Sequence, residues 1–446
     1  MKSLWFLAAA IVGLSSGCAG ESRDLSPPSA SSSMDLIAQH RTGHWPIQHV
    51  IIIFQENRTP DNLFQGLRGA DIASSGLNEK GQVVPLHPVS LTAKYDLSHK
   101  HNAFLVEYDA GRMDGWSFEP SSDGCGRLNK PICAYGYVPS PENRPYMMMA
   151  RQYAFADRMF QSNQGPSYPA HQYIVSGDAA ALPESSLEVS SNPEGTGFHG
   201  AGGGCDAPKN ERVQLIDARG FQRESVFPCF DRPVLSDLVE AKGLTWRYYQ
   251  EGRGQGLWKA FDSIKHVRYG PDYANVVTPP DTVLRDIKRG DLANVVWVMP
   301  RGHDSDHGGS GFGGGPSWVA AVVNAVGKSK YWDNSAIFVA WDDWGGWFDH
   351  VKPPLLNSYE FGFRVPLIVI SPYAKRGYVS HERHDFGSIL KFTEENFGLG
   401  SLGTTDESSD NLRDCFDFKQ SPRTFQRIPA PPYVPDGSNA PLDDDF

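Results

Sequence analysis

The sequence predicts an α/β fold, a doubly wound, mostly parallel sheet with helices on both faces. Three observations carry this. Short apolar runs, several uninterrupted, recur along the chain, as in strands covered on both sides. Patterns with helical spacing lie between them. Two of the runs end in acidic residues, HVIIIFQ in Glu56-Asn57 and SAIFVAW in Asp342-Asp343. The carboxyl ends of strands are where an open α/β sheet places its site.

The chain begins MKSLWFLAAAIVGLSSGCAG, a lysine, an apolar run and then small residues, which reads as a secretory leader. Its end at Ser16-Gly17-Cys18 is similar to a bacterial lipoprotein cleavage site, with Cys18 as the lipidated first residue. Leu14 sits one place too early for that pattern and Ser15 holds a position usually aliphatic, so ordinary secretion with an idle Cys18 is the alternative. Residues 1–18 are thus a signal peptide, and 19–45, polar and rich in Pro and Ser, a flexible tether. Residues 46–400 form the main domain, and 401–446 an acidic, Pro-rich tail that wraps or frays.

Within the domain, strands are expected at 49–55, 173–175, 244–249, 295–299, 336–341 and 365–370. A helix starts at Pro233, runs through Val234, Leu235, Leu238 and Val239, and stops at Gly243. A second covers SWVAAVVNAVG. The third covers FGSILKFTEENFG, where Phe386, Ile389, Leu390, Thr393 and Phe397 share a face. The Gly-rich stretch 190–204 is expected to be a surface loop or an insertion.

With 446 residues, 40 % of them hydrophobic, the chain can build a substantial core. A net charge of −11 argues against a nucleic-acid partner. No second long apolar stretch follows the leader, so no membrane span is expected in the mature chain. Export would make disulfides legal, and Cys125 with Cys133 and Cys205 with Cys229 are natural pairs. Cys415 is then left over, and other pairings stay open. The lack of a Cys-x-x-Cys spacing argues against a thiolate metal site.

Glu56 can ligate a divalent cation, and the Asn57 amide can bind a phosphoryl oxygen or the metal. The plain alternative is a charged turn at a strand end. Asp342 and Asp343 are adjacent carboxylates that repel unless a cation sits between them, and Gly345-Gly346 lets the backbone turn sharply there. Ser167 lies in the turn of QGPSYPAHQYIVSG, and a serine hydroxyl needs a base or a metal to become a nucleophile. No G-x-S-x-G elbow is present, so an acyl-transfer triad is not supported. His99 and His101, His303 and His307 with Asp304 and Asp306, and Asp349-His350 offer proton donors and phosphate-oxygen contacts, although the aspartates can equally shape turns.

Taken in order, HVIIIFQENRTPDNLFQG, DLSH with GRMDGW, QGPSYPAHQYIVSG, DLVEAKGLTWRYYQ, AWDDWGGWFDHV and FRVPLIVISPYAKRGYV with HDFGSILKFTEENFGL resemble the bacterial phosphoesterase family. That family holds non-haemolytic phospholipases C and related acid phosphatases, within the alkaline-phosphatase-like superfamily. The resemblance spans about residues 46 to 400 and implies a metal-dependent hydrolase of phosphate esters. It implies Glu56, Asn57, Asp342 and Asp343 as metal ligands, Ser167 as nucleophile, and Asn57 and Asp306 on the substrate. His99, His307 and His350 match positions near the catalytic pocket. Asp343 stands where the family usually has Glu, and Trp344 where it usually has His.

The implied cofactor is a divalent metal ion, and the implied partner a phosphate-ester or phospholipid substrate. A lipid anchor would add membrane attachment, in the bacterial cell envelope or after secretion. Residues such as Trp344 and Trp347, read as exposed, lean slightly towards lipid, although an aromatic loop is more often core packing. The alternative is a non-catalytic surface lipoprotein that kept the fold and binds a ligand or partner.

Overall fold

Seven consecutive residues, His49–Gln55, form strand β1, and all seven are buried. A strand covered on both faces has no solvent side, which is why VIIIF shows no alternation. The computed structural model describes residues 45–118, 133–182, 185–194 and 202–435.

Seven further strands complete the sheet: β2 (Ala154–Ala156), β3 (Trp246–Tyr249), β4 (Val276–Val277), β5 (Val295–Val298), β6 (Ser335–Trp341), β7 (Leu367–Ile370) and β8 (Tyr378–Ser380). Their spatial order is β4-β3-β5-β1-β6-β7-β2-β8. β1 lies at the centre, parallel to both β5 and β6. Only β7 runs against its neighbours, β6 and β2. The register pairs Gln55 with Trp341, so the residues that follow each, Glu56 and Asp342, leave the sheet side by side.

The helices that position the site and cover the sheet are α1 (His101–Tyr108), α2 (Ser167–Ser176), α3 (Leu235–Ala241), α4 (Gly315–Gly327) and α5 (Phe386–Phe397). The last three fall where the sequence places helices. The strand expected at 173–175 is instead the end of α2. All ten residues of α2 are buried, so no amphipathic period marks it, and Gly177 closes it in the left-handed conformation at φ 69°.

Two apolar clusters result. The larger follows the sheet and its helices, with Val50, Ile52, Val296, Phe338 and Leu390 among its members. Burying each such side chain contributes about 1.5–3 kcal/mol. The smaller is mostly aromatic and joins Tyr95, Phe104, Trp116, Trp344, Trp347 and Phe363. Trp344 is 0 % and Trp347 1 % exposed, so they are core residues, and the lean towards lipid drawn from them falls away.

Beyond residue 401 the chain continues to pack, burying Leu412, Phe416 and Ile428. Cys205 and Cys229 form a disulfide. Cys133 is also disulfide-bonded, while Cys125 and the lipidation candidate Cys18 lie outside the described residues. Among the described residues no helix is long and apolar enough to cross a membrane.

Candidate active site

The parallel register of β1 and β6 delivers Glu56-Asn57 and Asp342-Asp343 to one edge. The Asp342 N–H donates to Gln55 O at 2.9 Å, the Asn57 N–H to Asp342 Oδ1 at 3.0 Å, and the Arg58 N–H to Asp343 O at 3.0 Å. Asn57 adopts φ 60°, a left-handed conformation that asparagine tolerates better than most residues. Gly345 must be glycine here, since it has φ +61° and a Cβ on it would lie 2.5 Å from Asn57 Cβ.

Helix α2 supplies the third wall. Ser167 is its first residue, and its hydroxyl donates to Asp343 Oδ2 at 3.1 Å. His171, one turn later on the same face, places Nε2 3.2 Å from Glu56 Oε1 and 3.6 Å from Asp342 Oδ2. Glu56, Asn57, Ser167, His171, Asp342 and Asp343 are all fully buried. His171 is the residue that the sequence reading missed. A serine and a histidine four apart are a signal only once that segment is known to be helical.

Three buried carboxylates in contact are costly without positive charge among them. Burial works to raise the Asp342 carboxyl, but the adjoining His171 and Glu56 outweigh it and hold it below the ordinary range. Asn57 Oδ1, His171 Nδ1 and Asp342 Oδ2 are buried with no hydrogen-bond partner among the described residues. One ligand atom each from Glu56, His171 and Asp342 lie within 4.8 Å of one another. Hard oxygens and an imidazole converging on orphaned acceptors fit a divalent cation.

A second group, Asp96, His99 and His307, adjoins the first. His99 Nε2 lies 4.0 Å from Asp343 Oδ2 and 3.3 Å from Asn57 Nδ2. The Nδ1 atoms of His99 and His307 lie 2.8 Å from Leu97 O and 2.6 Å from Gly308 O. Donation to these carbonyls fixes the tautomer, with a proton on the Nδ1 of each ring. Trp344 packs edge-on to His99, with centroids 6.4 Å apart, and its indole N–H donates to Glu107 Oε2 at 2.6 Å. The Trp344 indole N–H is therefore turned to a buried carboxylate, and the ring buttresses His99.

Two expected site residues are not brought to this cluster. Asp306 Oδ2 accepts from Tyr146 Oη at 2.8 Å and Trp341 Nε1 at 3.0 Å, and burial pushes its carboxyl up to about 6. His350 is held between Asp61 Oδ2, 2.7 Å from Nδ1, and Asp71 Oδ1, 3.0 Å from Nε2, beside Arg364. Both of its nitrogens are engaged there.

The sequence profile of the Phosphoesterase family matches residues 47–400. The chain belongs to the Phosphoesterase family. Among its curated relatives, the non-hemolytic phospholipase C of Pseudomonas aeruginosa is 24 % identical, with 84 % of this chain and 57 % of that protein covered. Phospholipase C A of Mycobacterium tuberculosis is 23 % identical, with 85 % and 78 % covered. The chain spans little more than half the length of the two Pseudomonas relatives. Among solved structures, an alkaline phosphatase superfamily protein from Vibrio parahaemolyticus aligns with a TM-score of 0.38 at 10 % identity, covering 82 % of this chain and 69 % of that one. The family match covers β1 and β6, which Glu56 and Asp342 directly follow, and α2, which begins at Ser167.

Proposed function

We propose that this member of the Phosphoesterase family hydrolyses phosphate esters through a serine nucleophile, as a phospholipase C or an acid phosphatase. The observation that carries the reading is the hydrogen bond from Ser167 Oγ to Asp343 Oδ2, 3.1 Å, beside the converging carboxylates of Glu56 and Asp342.

A divalent cation held by Glu56, Asp342 and neighbouring donors such as Asn57, Asp343 and His171 would supply Lewis acidity to the serine oxygen and the phosphoryl group. The chain's own residues do the rest. Asp343 orients the Ser167 hydroxyl and accepts its proton as Oγ attacks phosphorus in line with the leaving alcohol. The N-terminus of α2 favours the negative charge gathering beside Ser167. Asn57 Nδ2 and a protonated His99 donate to the equatorial oxygens, and His307 gives its proton to the departing alkoxide. Water then attacks the phosphoserine and gives its proton back to His307, phosphate (or a phosphorylated head group) leaves, and Ser167 regains its proton from Asp343.

The relatives' names favour the phospholipase C end of this range. Export, with or without lipidation of Cys18, is supported by the leader-like first residues and fits the Cys205–Cys229 disulfide.

The deciding experiment pairs p-nitrophenyl phosphate with p-nitrophenyl phosphorylcholine, each with and without chelator, in the wild type and in Ser167→Ala. Chelator-sensitive turnover is expected, falling by at least about a thousandfold in the variant. The preferred compound separates phosphatase from phospholipase C. Near-normal turnover in a folded Ser167→Ala protein would sink the scheme.

A further inference from the structure

Cys415, the free cysteine among the described residues, is fully buried, and the resemblance to hydrolases gives it no task. It stands with His384 and Asp414, and one ligand atom from each lies within 4.8 Å of the other two. The group closes one edge of the sheet. β8 carries Ser380, the loop after it His384, and the C-terminal segment Asp414 and Cys415. That segment is already tied down, because the Lys375 N–H donates to Cys415 O at 2.9 Å and the Tyr378 hydroxyl to Asp414 Oδ2 at 3.2 Å.

His384 is oriented as metal-binding imidazoles are. Its Nδ1 lies 2.7 Å from Asp410 Oδ1, and Asp410 is itself held by the Ser388 hydroxyl at 2.7 Å and the Leu412 N–H at 2.8 Å. Nε2 therefore faces inward, 2.9 Å from Ser380 Oγ and 4.0 Å from Asp414 Oδ1. That Asp414 oxygen is buried and has no hydrogen-bond donor among the described residues. Asp414 Oδ2, by contrast, takes both the Ser380 and Tyr378 hydroxyls. Burial and then the charges of Asp414 and Asp410 push the Cys415 thiol well up.

We infer that His384 Nε2, Asp414 Oδ1 and Cys415 Sγ bind a divalent transition-metal ion of the zinc type, distinct from any cation at Ser167. Sulfur and imidazole select against calcium and magnesium, which take oxygen ligands. Ser380 Oγ or a water completes four-coordination. Binding forms the metal–sulfur and metal–nitrogen bonds and releases two protons, that of the thiol and that which His384 Nε2 donates to Ser380 Oγ, to solvent past Asp414, whose side chain is 24 % exposed. The missing Cys-x-x-Cys spacing is no obstacle, because these ligands converge from two segments of chain. The ion would pin the C-terminal segment to the edge of the sheet.

Cobalt distinguishes the two centres, since the Ser167 cluster offers no sulfur. The chelator-stripped full chain, titrated with Co²⁺, should develop a thiolate-to-cobalt charge-transfer band that saturates at about one ion per chain. Cys415→Ser should lack the band while still binding cobalt elsewhere. Asp414→Asn should weaken the band's half-saturation by roughly tenfold or more while keeping the thiol. Zn²⁺ should raise the melting temperature of the wild type more than that of either variant. Cobalt bound without the band in folded wild type, a band surviving Cys415→Ser, or Asp414→Asn titrating like wild type would each overturn the proposal.

Discussion

Replacing His350 with asparagine removes the imidazole held between Asp61 and Asp71 while leaving a polar side chain of similar size. Burial alone would lower the His350 pKa, but the hydrogen bond and charge of Asp61, with Asp349 behind it, raise it from 6.5 to about 8. A rise of about 1.5, at ~1.4 kcal/mol for each tenfold, corresponds to roughly 2 kcal/mol favouring the folded state. The sign follows from the raised folded value. The stabilisation is fully present below about pH 6.5, where the unfolded chain is also protonated, and is lost as the pH climbs through about 8. With the side chain 28 % exposed, solvent screening trims the figure only moderately. For a chain of this size, about 2 kcal/mol corresponds to roughly 2–3 °C in Tm. Thermal melts of wild type and His350→Asn at half-unit steps from pH 6 to 9 measure it. The gap between the two should narrow by that amount across the range. A gap independent of pH would refute the assignment of a charged His350 to this ion cluster.

Other expectations concern the Ser167 cluster. Gly345→Ala should destabilise the protein by at least about 2 kcal/mol and depress turnover, because its Cβ would meet Asn57 Cβ at 2.5 Å. Unchanged melting and activity would show that the Asn57 turn yields easily. His171→Ala removes the imidazole that orients Glu56 and Asp342, and cation affinity measured by chelator competition should fall by roughly 10–100-fold. An unaltered competition curve would leave His171 with packing alone.

The centre of the fold was legible because β1, β5 and β6 are uninterrupted apolar runs, and because Pro233 and Gly243 punctuate α3. β2, β4 and β8, at two or three residues each, are too short to carry a period, and nothing local reverses β7. In the site, Glu56, Asn57, Asp342 and Asp343 were legible as polar residues at the ends of buried strands. His171 was not, because a helix buried all round hides its spacing. The pairing of Asp96 and His99 with His307 bridges some two hundred residues and leaves no local trace. His350 shows the opposite failure. It follows the Asp342-Asp343 block closely, yet Gly345 and Gly346, at φ 61° and 68°, turn the chain away towards Asp61.

The aromatic cluster around Trp344 is separate from the cluster that follows the sheet, and the site lies on the seam between them. Glu56 and Asp342 belong to the sheet side. His99, buttressed by Trp344, belongs to the other. Separate apolar clusters can open with different free energies. If the aromatic side yields first, the protein would become a reversible catalytic mute under the proposed function, retaining its carboxylate anchorage while His99 drifts. Loss of function under mild stress would then precede loss of fold, and recovery would require only that one small cluster close again.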